Sequence, residues 1–325
     1  MKKLLGSAVF KIVVSLSLII ILLYLMRGKY AEIGLALKST NIKVLALGLA
    51  IYLLTMVVAS YRFFLIIRAQ NEVNVTFKEA VSLSFIGLFF NNFLPTSIGG
   101  DLVKAYCLSN KTHSRVGSFA SVLVDRLVGL LTMIFMASAA LLFFQSSIIS
   151  DDIRQVLYGI TVVALIVVLF VVNKGFAKKI SGILTFARPL TMRFKDAYYT
   201  IHHYKNNKKL IVKSLGISVV SQLLSYLAFA TVAFSIGARI SPIEALLRIP
   251  IVNLMSMLPS LGGLGLREGA TVVLFGPLIS KESAFAVSIL WVLVVLIASV
   301  IGGSIYAFSP QFRVKFNDLK KEVVR

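Results

Sequence analysis

The chain of 325 residues is 58% hydrophobic and only 14% charged, with a mean hydropathy of +0.90, which argues against a water-soluble domain. Its 34 Lys and Arg against 13 Asp and Glu leave a net charge of +21. The basic residues flank apolar runs instead of forming a stripe with interleaved aromatics, which argues against a nucleic-acid partner and for anchoring to anionic inner-leaflet lipids.

In chain order, Lys2 and Lys3 precede an apolar run whose end at Met26 is followed directly by Arg27, Gly28 and Lys29. With no small-residue cleavage site there, the run is read as a retained first span and not a signal peptide. Uncharged stretches predict full-length spans near 8–26, 42–67, 116–144, 153–173, 211–237 and 284–308. Two further apolar regions, 77–112 and 242–278, are broken in the middle by Pro and paired Gly, and they predict re-entrant helical hairpins. The basic segment 174–210 reads either as an amphipathic stretch on the inner leaflet or as a solvated anchoring loop.

The two breaks, Leu94-Pro95-Thr96-Ser97-Ile98-Gly99-Gly100-Asp101 and Leu258-Pro259-Ser260-Leu261-Gly262-Gly263-Leu264-Gly265, share a form: Leu-Pro, a short gap, Gly-Gly, then Lys104 or Arg267. Asn91 and Asn92 precede the first break and Asn253 the second. The order span, span, hairpin, span runs from 8 to 144 and again from 153 to 308. Three crossings per unit make the copies inverted. The expected fold is therefore an all-α polytopic membrane protein of two inverted units, each with three transmembrane helices and one re-entrant hairpin. Lys and Arg placement favours this arrangement, with both termini cytoplasmic, over eight simple crossings.

Unpaired backbone groups at membrane depth cost several kcal/mol each, so a Gly-Gly break persists only where protein or a watery cavity satisfies it. The returning half-helices would begin near Gly99 and Gly263 and aim their positive ends at the bilayer centre. With Lys104 and Arg267 beside them, they suggest a site for an anion, best a phosphate; two kinks that merely aid packing are the plainer alternative. Ser97, Thr96 and Ser260 offer hydroxyl donors, which equally satisfy broken helices. Asp125 and Arg126 lie roughly 15 Å deep in the third span, where ionisable groups suggest function. Arg126 either binds the anion or tethers Asp101. Asp125 caps a hairpin, pairs with Lys104, forms a structural salt bridge or carries a coupling proton, and Glu268 either neutralises an arginine or takes up a proton. Arg62 is expected to snorkel to the interface. Glu244 and Arg248 are weak candidates.

The single Cys107 allows no disulfide, and His113, His202 and His203 complete no metal set, so neither metal nor cofactor is expected. No GxxxxGK[ST] loop is present to bind ATP.

The runs FFNNFLPTSIGGDLVKAY (89–106), SVLVDRLVGLL (121–131) and LPSLGGLGLREGA (258–270) together resemble the lysylphosphatidylglycerol synthase transmembrane region, or flippase-like domain family, over nearly the whole chain. The resemblance implies movement of lipids between leaflets: aminoacylated phosphatidylglycerol where the domain is fused to a synthase, polyprenyl-phosphate-linked sugars or other lipids in stand-alone members. With Arg325 shortly after the last span, no aminoacyl-transferase domain and no synthesis of lysylphosphatidylglycerol are expected. The positions carried over by resemblance are Asn92, Pro95, Gly99, Gly100, Asp101, Lys104, Asp125, Arg126, Pro259, Gly262, Gly263, Gly265, Arg267 and Glu268. The expected function is translocation of an anionic lipid in a prokaryotic plasma membrane, without enzymatic chemistry. A secondary transporter of a soluble anion, a membrane enzyme acting on a lipid phosphate and a scaffold are the rivals. Homo-oligomerisation stays open.

Overall fold

A computed structural model describes residues 28–70, 74–94, 99–112, 114–143, 151–172, 207–258 and 263–312, together with Ile20 and Tyr24. Nearly all of the expected first span and of the 174–210 segment, and the break residues Pro95, Thr96, Ser97, Pro259, Ser260 and Gly262, lie outside the described residues. Among the described residues the structure is helical, without strands. We number the helices α1 (Tyr30–Lys38), α2 (Ile42–Arg68), α3 (Phe77–Phe93), α4 (Gly99–Thr112), α5 (Arg115–Phe143), α6 (Asp151–Val172), α7 (Lys208–Phe234), α8 (Pro242–Ser256), α9 (Leu266–Ile279) and α10 (Lys281–Phe308); a 3-10 turn follows at Pro310–Phe312.

Among the described residues four helices, α2, α5, α7 and α10, are long and apolar enough to cross a membrane. Leu54, Phe135, Val220 and Val300 stand exposed on them, a surface suited to hydrocarbon. Their starts are set by local chemistry. The Asn41 side chain accepts from the N–H groups of Lys43 and Val44, satisfying two donors that the first turn of α2 leaves open. Asn207 does the same for α7 through Leu210 N–H, and Ser280 for α10 through Ser283 N–H. The short α1 was not anticipated from sequence. It packs on α10, and Lys29 just before it meets Glu282 at 2.9 Å, a partly exposed pair that raises the Lys29 pKa.

α2 and α7 form the most extensive helix pair. Their axes close at Gly48, where a Cβ would meet Val232 Cγ2 at 2.9 Å. α3 packs on α10, and α8 packs on α5. The α3–α10 contact is tighter still: a Cβ on Gly302 would fall 2.0 Å from the Phe85 carbonyl oxygen.

The two interrupted regions each fold back on themselves. α4 returns along α3 so closely that a Cβ on Gly100 would lie 2.0 Å from Gly87 O and 2.6 Å from Asn91 N. Thr76 and Glu79 cap the start of α3 reciprocally, and Lys111 near the end of α4 pairs with Glu79. In the second region α9 returns along α8. Arg248 NH1 donates to Leu274 O at 2.5 Å, and Gly263 lies against Ser256. Gly263 and Gly265 have φ of +83° and +82°, the left-handed region that glycine enters without a Cβ penalty. These two residues make the turn into α9.

Candidate functional site

Residues 125 and 126 of α5 point about 100° apart, as neighbours on a helix must. They serve two different ion pairs with α4. Asp125 accepts from Lys104 Nζ at 3.4 Å, and Arg126 donates through Nε to Asp101. Charge polarity is thus opposite in the two pairs.

Asp125 has a second cationic partner. Arg62 of α2 donates from Nε to Asp125 Oδ1 at 2.8 Å and from NH1 to Ser218 Oγ of α7 at 2.6 Å. Arg62, Lys104 and Asp125 are all buried. Lys104 Nζ also sits 3.4 Å from the centroid of the Phe63 ring, a cation–π contact. Arg62 does not snorkel to the interface as its position near the end of α2 suggested. Asp125 draws it inward, and Gly129 gives it room: a Cβ there would stand 3.1 Å from the guanidinium. A buried arginine needs such a carboxylate and hydroxyl, because an unpaired charge there is strongly destabilising.

Next to this cluster lies a cavity of about 260 Å³. Arg126 of α5 and Arg267 of α9 both line it. Asn91 and Asn92 from the end of α3, and Asn253 and Ser256 from the end of α8, add amides and a hydroxyl. Tyr52 of α2 and Trp291 of α10 close the apolar side, their rings edge to face at 5.2 Å. The volume falls just below the roughly 300–1,000 Å³ usual for small-molecule pockets.

The remaining sequence-selected residues shape the site from behind. Gly100 N–H donates to Asn91 Oδ1 at 2.9 Å, so the amide of α3 caps the start of α4. Asn92 Nδ2 donates to Ser299 Oγ of α10 at 2.7 Å and to Leu88 O at 3.0 Å. Glu268 Oε2 accepts from Gly265 N–H, which fixes the turn into α9, while its buried Oε1 has no hydrogen-bond partner among the described residues. Gly99, Gly100, Asp101, Lys104, Asp125, Gly263, Gly265 and Glu268 do not line the cavity, whereas Asn92, Arg126 and Arg267 do. Glu244 and Arg248 form a buried ion pair within α8. Sequence reasoning missed Tyr52, Ser225, Met257 and Trp291 as lining residues; the sole tryptophan of the chain was the one signal available. Among the described residues no cluster of His, Cys, Asp and Glu could hold a metal ion.

The family model described as the lysylphosphatidylglycerol synthase TM region matches residues 8–303. A UPF0104 membrane protein of Pyrococcus horikoshii is 24% identical over 308 residues, covering 86% of this chain and 89% of its own length. A UPF0104 membrane protein of Methanothermobacter thermautotrophicus is 26% identical over 274 residues, covering 76% and 77%. No solved structure matches the chain.

Proposed function

The chain belongs to the lysylphosphatidylglycerol synthase transmembrane-region family and is an integral membrane protein, and on that premise we propose that it moves an anionic lipid between leaflets. The substrate is a phospholipid or a polyprenyl-phosphate-linked lipid. Its phosphate sits in the cavity while its acyl or prenyl chains stay in hydrocarbon. The carrying observation is that one cavity is lined by two arginines from distant parts of the chain, Arg126 and Arg267, together with three asparagines. Phosphate leaving water needs dense, charge-assisted hydrogen bonding, and guanidinium and amide donors supply it.

In this reading the protein is two inverted units, 8–144 and 153–308, and the hairpins are re-entrant. Helix pairing supports the symmetry: α2 lies on its counterpart α7, and the α3–α10 contact has its counterpart in α8–α5. Helix length supports re-entrance. Arms of 14 to 17 residues reach about 21–26 Å at 1.5 Å per residue, short of a core of about 30 Å. Both termini are cytoplasmic in this arrangement, and we assign the protein no chemical step.

Leaflet exchange of fluorescent phosphatidylglycerol in proteoliposomes tests the function. Exchange that depends on the protein and falls in Arg267→Gln supports it. Uptake of a soluble anion with no exchange of phospholipid or polyprenyl phosphate would overturn it.

A further inference from the structure

The cluster beside the cavity carries one charge too many. Arg62 and Lys104 share the single carboxylate of Asp125, and all three residues are more than nine-tenths buried. An arginine keeps its proton in any protein environment, and Asp125 accepts from both cations. Lys104 is the member whose charge can change. With Lys104 neutral the cluster is neutral; with Lys104 protonated it holds a net buried positive charge, which the Phe63 ring face partly offsets.

Among the described residues, other ionisable groups around Lys104 are few. From α2 it faces Arg62, and from α5 it faces Asp125. On its own helix Asp101 stands three residues before it, held by Arg126, and the Cys107 thiol stands three residues after it, bonded to Phe312 O at 3.2 Å. From α3 the neighbour is uncharged Gly87, since the acid of that helix, Glu79, is engaged with Lys111 near the far end of α4. Asp101 is therefore the carboxylate that links Lys104 to the cavity. Residues three apart share a helix face, so Asp101 can serve either Arg126 or Lys104.

We propose that Lys104 binds a coupling proton when a lipid phosphate occupies the cavity and gives it up when the phosphate leaves, so that one proton crosses with each lipid anion. This rests on the lipid-moving function proposed above. The phosphate takes Arg126 from Asp101. Asp101 then turns to Lys104, and its negative charge makes the ammonium form affordable in the interior. Linkage requires the converse: protonated Lys104 favours phosphate in the cavity. The amine gains a proton from water on the loading side and loses it to water on the unloading side, and a monoanionic phosphate with one proton crosses without net charge.

The test uses full-length protein in proteoliposomes with a potassium–valinomycin clamp, fluorescent short-chain phosphatidylglycerol and a trapped pH dye. Under an imposed pH gradient the wild type is expected to enrich the lipid in the alkaline-side leaflet, by up to about tenfold per pH unit for one proton per lipid. Inward lipid movement is expected to acidify the lumen. In Lys104→Arg, which cannot release its proton, whatever lipid exchange remains is expected not to respond to the gradient. Equal gradient responses in wild type and Lys104→Arg, or lipid exchange by the wild type with no proton movement, would overturn the proton inference and leave lipid translocation standing. The dye readout on the wild type decides the matter even if the variant does not fold. No lipid exchange by the wild type at all would overturn the proposed function, and the proton inference with it.

Discussion

Arg126 of α5 and Arg267 of α9 face the same cavity, yet their surroundings differ. Arg126 is paired with Asp101 across the α4–α5 interface, whereas Arg267 follows the glycine turn that Glu268 fastens. In the proposed function, loss of either guanidinium removes charge-assisted hydrogen bonds worth about 1.5–3 kcal/mol to a phosphate. Arg126→Gln and Arg267→Gln are each expected to slow lipid exchange roughly tenfold to a hundredfold. Retention of the purified folded protein on size exclusion separates this from misfolding.

The Arg62–Asp125 pair makes a different prediction, on stability. Asp125→Asn leaves the buried Arg62 cation with no carboxylate, and breaking a buried pair costs about 3–5 kcal/mol. A large fall in thermal stability in detergent is expected. Asp125→Asn combined with Arg62→Met should recover much of it, because the second change removes the orphaned charge.

Gly100 packs against Gly87 and Asn91 with no space for a methyl group. Gly100→Ala is expected to prise α4 from α3, lower the yield of folded protein and break the Asn91 cap. Gly269→Ala serves as the control on α9, since a Cβ there meets nothing within 4 Å. Equal yields from the two variants would contradict the close packing of the first hairpin.

Re-entrance of the first hairpin predicts that its two ends share one side of the membrane. In a Cys107→Ser background, cysteines placed at Thr76 and Thr112 should react with a membrane-impermeant maleimide from the same face of sealed vesicles. Labelling from opposite faces would show a crossing instead.

The helical class, the long apolar helices and the break points in the hairpins were legible because length, hydropathy and the Pro/Gly-Gly pattern are local properties. Pairing was legible only where sequence offered few partners: Asp125 with Lys104 and Arg126 with Asp101 were each among the foreseen alternatives. Arg62 was misread because its place near a helix end resembles an interfacial arginine, and nothing local shows that Gly129 and Ser218 on other helices make a slot for it. Lys104 and Arg267 occupy like positions after their Gly-Gly pairs, which suggested like roles. The structure separates them: Lys104 turns to Asp125, while Arg267 lines the cavity. Tyr52 and Trp291 escaped notice because an aromatic residue in an apolar span carries no mark of whether it meets lipid, core or cavity.

The most direct test of the account is the rate of phosphatidylglycerol exchange between leaflets in vesicles of defined protein content, comparing wild type with Arg267→Gln at equal reconstitution. The account predicts protein-dependent exchange that falls at least tenfold in the variant. Wild-type exchange no faster than in empty vesicles, or an Arg267→Gln rate equal to wild type, would contradict it.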